Sequence, residues 1–277
     1  MLAAIKKNEQ HNRIMTPDFL YHYTSIESLA MILSTRKIRF NSLTELDDLT
    51  ERDCHDFKSI GKYFFISSWT NIQEESLPFW NMYTPKMKGI RIKMPLDLFN
   101  DYLITTNGVK GVKSNFFKSI VPQNETFKDS FWILPTSEKY LFEVEYTDES
   151  DKLNPNIYSE NGEKFIISLN KIGLFKSKHW TFQSEWRFII KIFPFIQAQE
   201  TNENYDLLID SIKSIRNGRD LPFTDYFVNI NEFKFKEMEI LLGPKHSDAD
   251  RIIVESLISK YNPTAKLLIS DLHKKIK

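Results

Sequence analysis

The run Tyr63-Phe64-Phe65-Ile66-Ser67-Ser68-Trp69 is apolar, aromatic and free of glycine and proline. A stretch of that make-up is satisfied inside a sheet, as a central strand. Comparable runs recur from end to end. Phe19 to Tyr23, Lys37 to Phe40, Gly89 to Met94, Lys139 to Tyr146, Trp186 to Phe193 and Glu237 to Leu242 all read as strands, the last two stopped by Pro194 and by Gly243-Pro244. Helices fall between some of them. One is capped by Thr24 or Ser25 and runs through Leu33, an acidic and partly exposed one covers Thr44 to Phe57, and a short one covers Glu74 to Tyr83. Further helices are expected near Lys164 to Leu174 and from Ala249 to Lys260, the latter behind the capping-box pair Ser247 and Asp250. Strict βαβ alternation is absent, so the pattern predicts an α+β fold with one core, a single domain over residues 1–277. Asp148 to Gly162 is its most linker-like region, and the polar stretch near 197–230 reads as a helical insertion.

With 277 residues, 41% of them hydrophobic, the chain can bury a core without help from a metal or a disulfide. Cys54 is the only cysteine, which excludes a disulfide framework and a cysteine-type zinc site within one chain. The 37 basic and 37 acidic residues balance, so no global field favours nucleic acid or an anionic membrane, although Lys110 to Lys118 forms a local basic strip. The apolar start, Met1 to Ile5, is too short for a signal-peptide core, and no later stretch approaches the ~18 apolar residues of a membrane span. A cytoplasmic protein without a membrane partner is expected. Gly108 and Gly111 lack the spacing of a dinucleotide or phosphate loop, no GxSxG elbow occurs, and Cys54 next to His55 cannot pair with it on a helix.

The chemistry-bearing residues sit in separate islands: Tyr21-His22-Tyr23-Thr24, Asp47-Asp48, Phe79-Trp80-Asn81-Met82-Tyr83 leading to Lys88-Gly89, and Gln183-Ser184-Glu185-Trp186-Arg187. Each also has a plainer reading. His22 in an apolar strand suits a buried imidazole bonded to backbone. Glu185 and Arg187, two apart on a strand, share a face and suit an ion pair. Trp80 and Tyr83 at i and i+3 suit a helix packing face. Asp47, Glu51 and His55 would share one helical face with metal-ligand chemistry, against which a solvated acidic helix is the simpler reading, and no resident metal is expected.

Taken in order, these islands resemble a bacterial family of unknown function met in phage-defence neighbourhoods. The likeness spans most of the chain through Tyr21 to Thr24, Leu46-Asp47-Asp48 with Glu51, Trp80 to Tyr83 with Lys88-Gly89, Lys176 to Arg187, and Ile240 to Gly243. The chain departs from it where Leu46-Asp47-Asp48-Leu49 lacks an Asn-Asp-Pro turn and where Gln183 replaces a glutamate. More distantly the order resembles the ADP-ribosyltransferase superfamily. That resemblance implies a mixed β core with flanking helices, NAD as substrate, and transfer to a macromolecule within a defence or toxin-like system that would supply an antitoxin or another partner. It implies Glu185, His22 and Gln183 as the catalytic set: the Glu185 carboxylate on the ribose as its charge develops, neutral His22 on a ribose hydroxyl, and Gln183 on the acceptor. Tyr23, Thr24, Ser67, Trp69, Trp80 and Tyr83 would bind the dinucleotide, with Tyr83, Trp69 or Trp80 stacking on nicotinamide. A non-catalytic sensor or interaction domain on the same framework, or a metal-dependent nuclease using the Asp47 cluster, are the competing expectations.

Overall fold

Strand β1 (Phe19–Thr24), β2 (Lys37–Ser42), β3 (Phe64–Thr70) and β4 (Ile90–Pro95) frame the protein, and the unequal way in which they pair opens a cavity between them. The computed structural model describes residues 17–105, 116–128, 130–135, 140–161, 164–195 and 207–277. Gly108, Gly111, most of the basic strip at Lys110 to Lys118, the start of the strand expected at Lys139 and part of the insertion near 197–230 lie outside the described residues.

The described residues form an α+β structure around a sheet of 10 strands that is mixed but largely antiparallel. Its order is Asp225–Asn229, β2, β3, β1, β4, Glu239–Leu242 and Lys266–Ile269. The long strand Glu185–Pro194 pairs with β3 from Glu185 opposite Thr70 to Lys191 opposite Phe64. Its far edge carries Phe131–Leu134 and Leu141–Glu143. Helix α1 (Ile26–Thr35), capped by Ser25 accepting from the Ser28 amide at 3.1 Å, lays Leu29 and Leu33 on the sheet. The Asp248–Tyr261 helix carries the expected Ser247/Asp250 capping box and packs Val254 and Ile258 into the same core as Leu20, Phe65, Ile92 and Ile240. Among the described residues no helix is long and apolar enough to cross a membrane.

Two expected helices are replaced. Thr44 to Phe57 forms only the 3-10 turns Leu43–Glu45 and Leu49–Arg52. The Ser42 hydroxyl accepts from the Thr44 amide at 3.3 Å, and Asp48 accepts from the Thr50 amide at 3.0 Å and its hydroxyl at 2.7 Å. Such local side-chain bonds compete with a helical ladder. Lys164 to Leu174 instead begins as a strand, Lys164–Ile167, in a hairpin with Tyr158–Asn161. That hairpin and the Ser150–Leu153 helix give structure to the stretch read as a linker. The strand expected up to Tyr146 is divided: Leu141–Glu143 joins the main sheet, whereas Glu145–Thr147 pairs in parallel with Phe175–Ser177.

Candidate functional site

On the edge of β3 opposite the long strand, Phe65 and Ile66 pair with Ser42 and Asn41 of β2, and Thr70 pairs with Tyr21 of β1. Ser67, Ser68 and Trp69 between them have no strand partner on that edge among the described residues. β1 therefore splays from β3 while remaining paired with β4 along its length. His22 reaches across the split, its Nδ1 donating to the Ser68 carbonyl at 2.9 Å. A cavity of about 280 Å³ opens there.

The structure brings His22, Tyr23, Ser67, Trp69, Tyr83, Gln183 and Glu185 to the wall of this one cavity. Helix α2 (Leu77–Tyr83), capped by Ser76 and started by Pro78, delivers Phe79 and Tyr83 to it. Two expected residues are elsewhere. Trp80 has no exposed surface; it packs edge-on against Tyr23 at 4.7 Å and donates from Nε1 to Glu75 at 3.0 Å, so its role is packing. Thr24 lines a neighbouring cavity of about 480 Å³, which shares His22, Tyr23, Arg39, Asn41 and Tyr83 with the first.

Beneath the cavity lies a buried cluster of two carboxylates and two cations: Glu51, Glu185, Lys176 and Arg187. Arg187 donates from Nε to Glu185 at 2.7 Å and from Nη2 to Glu185 at 3.1 Å and to Glu51 at 3.0 Å, so the guanidinium is clamped between both carboxylates. Lys176 reaches Glu185 at 3.1 Å. The ion pair that the Glu185/Arg187 spacing admits is thus present, and it includes Glu51. Burial alone would raise the Glu185 pKa, but Arg187 and Lys176 outweigh it and hold that carboxyl at about 2. For His22 burial dominates, lowering its pKa below the ordinary 6.5 despite the bond to Ser68. A carbonyl only accepts, so Nδ1 carries the proton and Nε2 is the acceptor of a neutral ring.

Gln183 is held at both ends of its amide. Its oxygen accepts from Lys176 at 2.8 Å and its amide nitrogen donates to the Tyr83 hydroxyl. The Asp47, Glu51 and His55 constellation also dissolves without its helix: Asp47 is exposed at the cavity mouth, Glu51 is buried on Arg187, and His55 is exposed beside Asp56 at 3.8 Å. Among the described residues no group of three such side chains could hold a metal ion. Asp48 caps the turn that carries Glu51 to Arg187, which gives the acidic island a structural purpose.

Sequence reasoning missed Lys176, Arg39, Asn41 and Phe79 as cavity residues. Lys176 left a signal, a lysine between apolar Leu174-Phe175 and a serine in a strand-like context. Arg39 and Asn41 line the cavity only because β2 sits beside the unpaired stretch of β3, which the sequence does not encode locally. The chain matches no protein-family model, no curated protein and no solved structure.

Proposed function

We propose that the cavity binds NAD and that the protein transfers ADP-ribose from it to a macromolecular acceptor on an ADP-ribosyltransferase-like framework. The observation that carries this reading is the convergence of His22, Tyr83 and Glu185, from β1, α2 and the long strand, on one cavity at the split between β1 and β3. Two contiguous cavities suit a ligand with two lobes. The aromatic walls of Trp69, Tyr23 and Tyr83 suit a planar leaving group. In the proposed step the bond between the ribose anomeric carbon and the nicotinamide nitrogen breaks, nicotinamide departs with the bonding pair, and the acceptor's nucleophile bonds to that carbon and releases its proton. Positive charge spreads over the ribose in between. Glu185, ionised throughout the neutral range, would accept from a ribose hydroxyl and oppose that charge, and neutral His22 Nε2 would accept from another.

A second reading, a binding module without turnover, is favoured by one observation: both oxygens of Glu185 are already engaged by Arg187 and Lys176. A role in defence or toxicity, with an antitoxin or other partner, rests on the sequence resemblance alone. Titrating NAD while following intrinsic fluorescence tests the shared premise. Saturable quenching is expected in wild type, lost when Trp69 is changed to Phe, and weakened about threefold to tenfold in His22→Ala. An unresponsive wild type would overturn both readings of the ligand, and binding without nicotinamide release would leave the module.

A further inference from the structure

Lys176 sets the direction of a hydrogen-bond chain that ends in the cavity. An ammonium only donates, so the end of the Gln183 amide that faces it, 2.8 Å away, is the oxygen. The nitrogen is thereby turned to Tyr83 and donates to its hydroxyl. That hydroxyl accepts one proton and keeps its own to give, and among the described residues no oxygen takes it. Glu185, the carboxylate of the cluster that lines the same cavity, is occupied by Arg187 and Lys176. The chain is held in place at each link: Lys176 and Gln183 are buried, Lys176 lies 4.7 Å from the Trp180 ring centre, and Phe79 packs 5.4 Å from the Tyr83 ring.

We infer that Tyr83 is an oriented hydrogen-bond donor of this cavity, with Lys176 and Gln183 as the positioning residues behind it, and that the ligand seats an acceptor oxygen (carbonyl, hydroxyl or phosphate) against it. Burial, with Glu185 and Asp47 nearby, pushes the phenol pKa up, so the donor keeps its proton. The inference rests on the cavity being the ligand site proposed above. It makes Tyr83 more than a stacking face and moves Gln183 from the acceptor to the hold on that donor.

Gln183→Glu separates this chain from a merely structural role. A carboxylate there still accepts from Lys176 but cannot donate, so Tyr83 turns its proton onto the new carboxylate and away from the cavity. In the ligand-free protein labelled with carbon-13 at tyrosine Cζ, the Tyr83 resonance, assigned by its loss in Tyr83→Phe, should move downfield in Gln183→Glu. With NAD as the calorimetric probe, Tyr83→Phe and Gln183→Glu should each weaken binding about threefold to tenfold, and the double variant no further. Should Gln183→Glu fail to melt cooperatively, Gln183→Met, which neither donates nor accepts in that way, replaces it in the same cycle. An unmoved resonance or additive losses would overturn the chain. A moved resonance in a protein that binds no NAD would keep the chain and sink the NAD reading alone.

Discussion

Glu185 is both a carboxylate on the cavity wall and the counter-ion of a guanidinium with no exposed surface, so changing it touches chemistry and stability together. Glu185→Gln keeps the shape but leaves a buried positive charge uncompensated, and should lower unfolding free energy toward the ~3–5 kcal/mol of a broken buried pair. Glu51→Gln, on the other side of Arg187 and outside both cavities, should cost a comparable amount in denaturant unfolding without acting on the ligand directly. Equal melting of either variant and wild type would contradict the cluster. Acid should act in two windows. The Glu185 pKa is depressed in the folded state, so its contribution is full above the unfolded value near 4.5 and is lost as pH falls through about 2. His22 is a base with a depressed folded pKa, so the unfolded chain takes up the proton first and stability falls as pH drops below 6.5. The difference in unfolding free energy between wild type and His22→Gln, followed from pH 8 to 5, should therefore shrink; a constant difference would contradict a neutral, half-buried imidazole. At this scale the site was largely legible. His22, Tyr83, Gln183 and Glu185 lie in short dense islands and Trp69 ends a breaker-free strand, whereas the pairing of Arg187 with Glu51 joins residues 136 apart and left no local trace.

The elements are held to the site by close backbone approach and by one carboxylate latch. A Cβ on Gly89 would sit 2.2 Å from the Thr24 carbonyl, and one on Gly243 would sit 2.6 Å from the Met87 carbonyl. The Gly243 amide donates to the Gly89 carbonyl at 2.9 Å, so the two glycines join the ends of β1, β4 and the Glu239–Leu242 strand. Gly89→Ala must push that junction apart and should cost at least the ~1–3 kcal/mol of overpacking, read by thermal melting; an unchanged melt would contradict the contact. Glu75 accepts from Trp80 Nε1 at 3.0 Å, from the Ser270 hydroxyl at 2.6 Å and from the Asp271 amide at 2.7 Å, which ties α2 to the C-terminal segment. Glu75→Ala should hasten proteolysis after Ile269 and loosen Tyr83 at the far end of α2; equal cleavage rates would contradict the latch. The long, breaker-free strands were readable from composition and alternation. The short edge strands Phe131–Leu134, Asp225–Asn229 and Lys266–Ile269 were not, because each is four or five residues long and is fixed by its partner rather than its own propensity.

Across the whole molecule, the feature that organises the account is a sheet interrupted at Ser67 to Trp69, with His22 spanning the gap and Glu185 beneath it. An α+β class was readable from the order of elements, but the split was not, since it depends on where β1 and β2 each stop pairing with β3. The proposed transfer needs that gap to hold NAD with its glycosidic bond beside Glu185. Nicotinamide release from NAD by purified protein, alone and with lysate, compared between wild type and Glu185→Gln assayed well below its melting temperature, tests this most directly. The expected result is release by the wild type and a loss of ~10²–10³ in rate for the variant. Release at the wild-type rate by Glu185→Gln, or none by wild type under either condition, would contradict it.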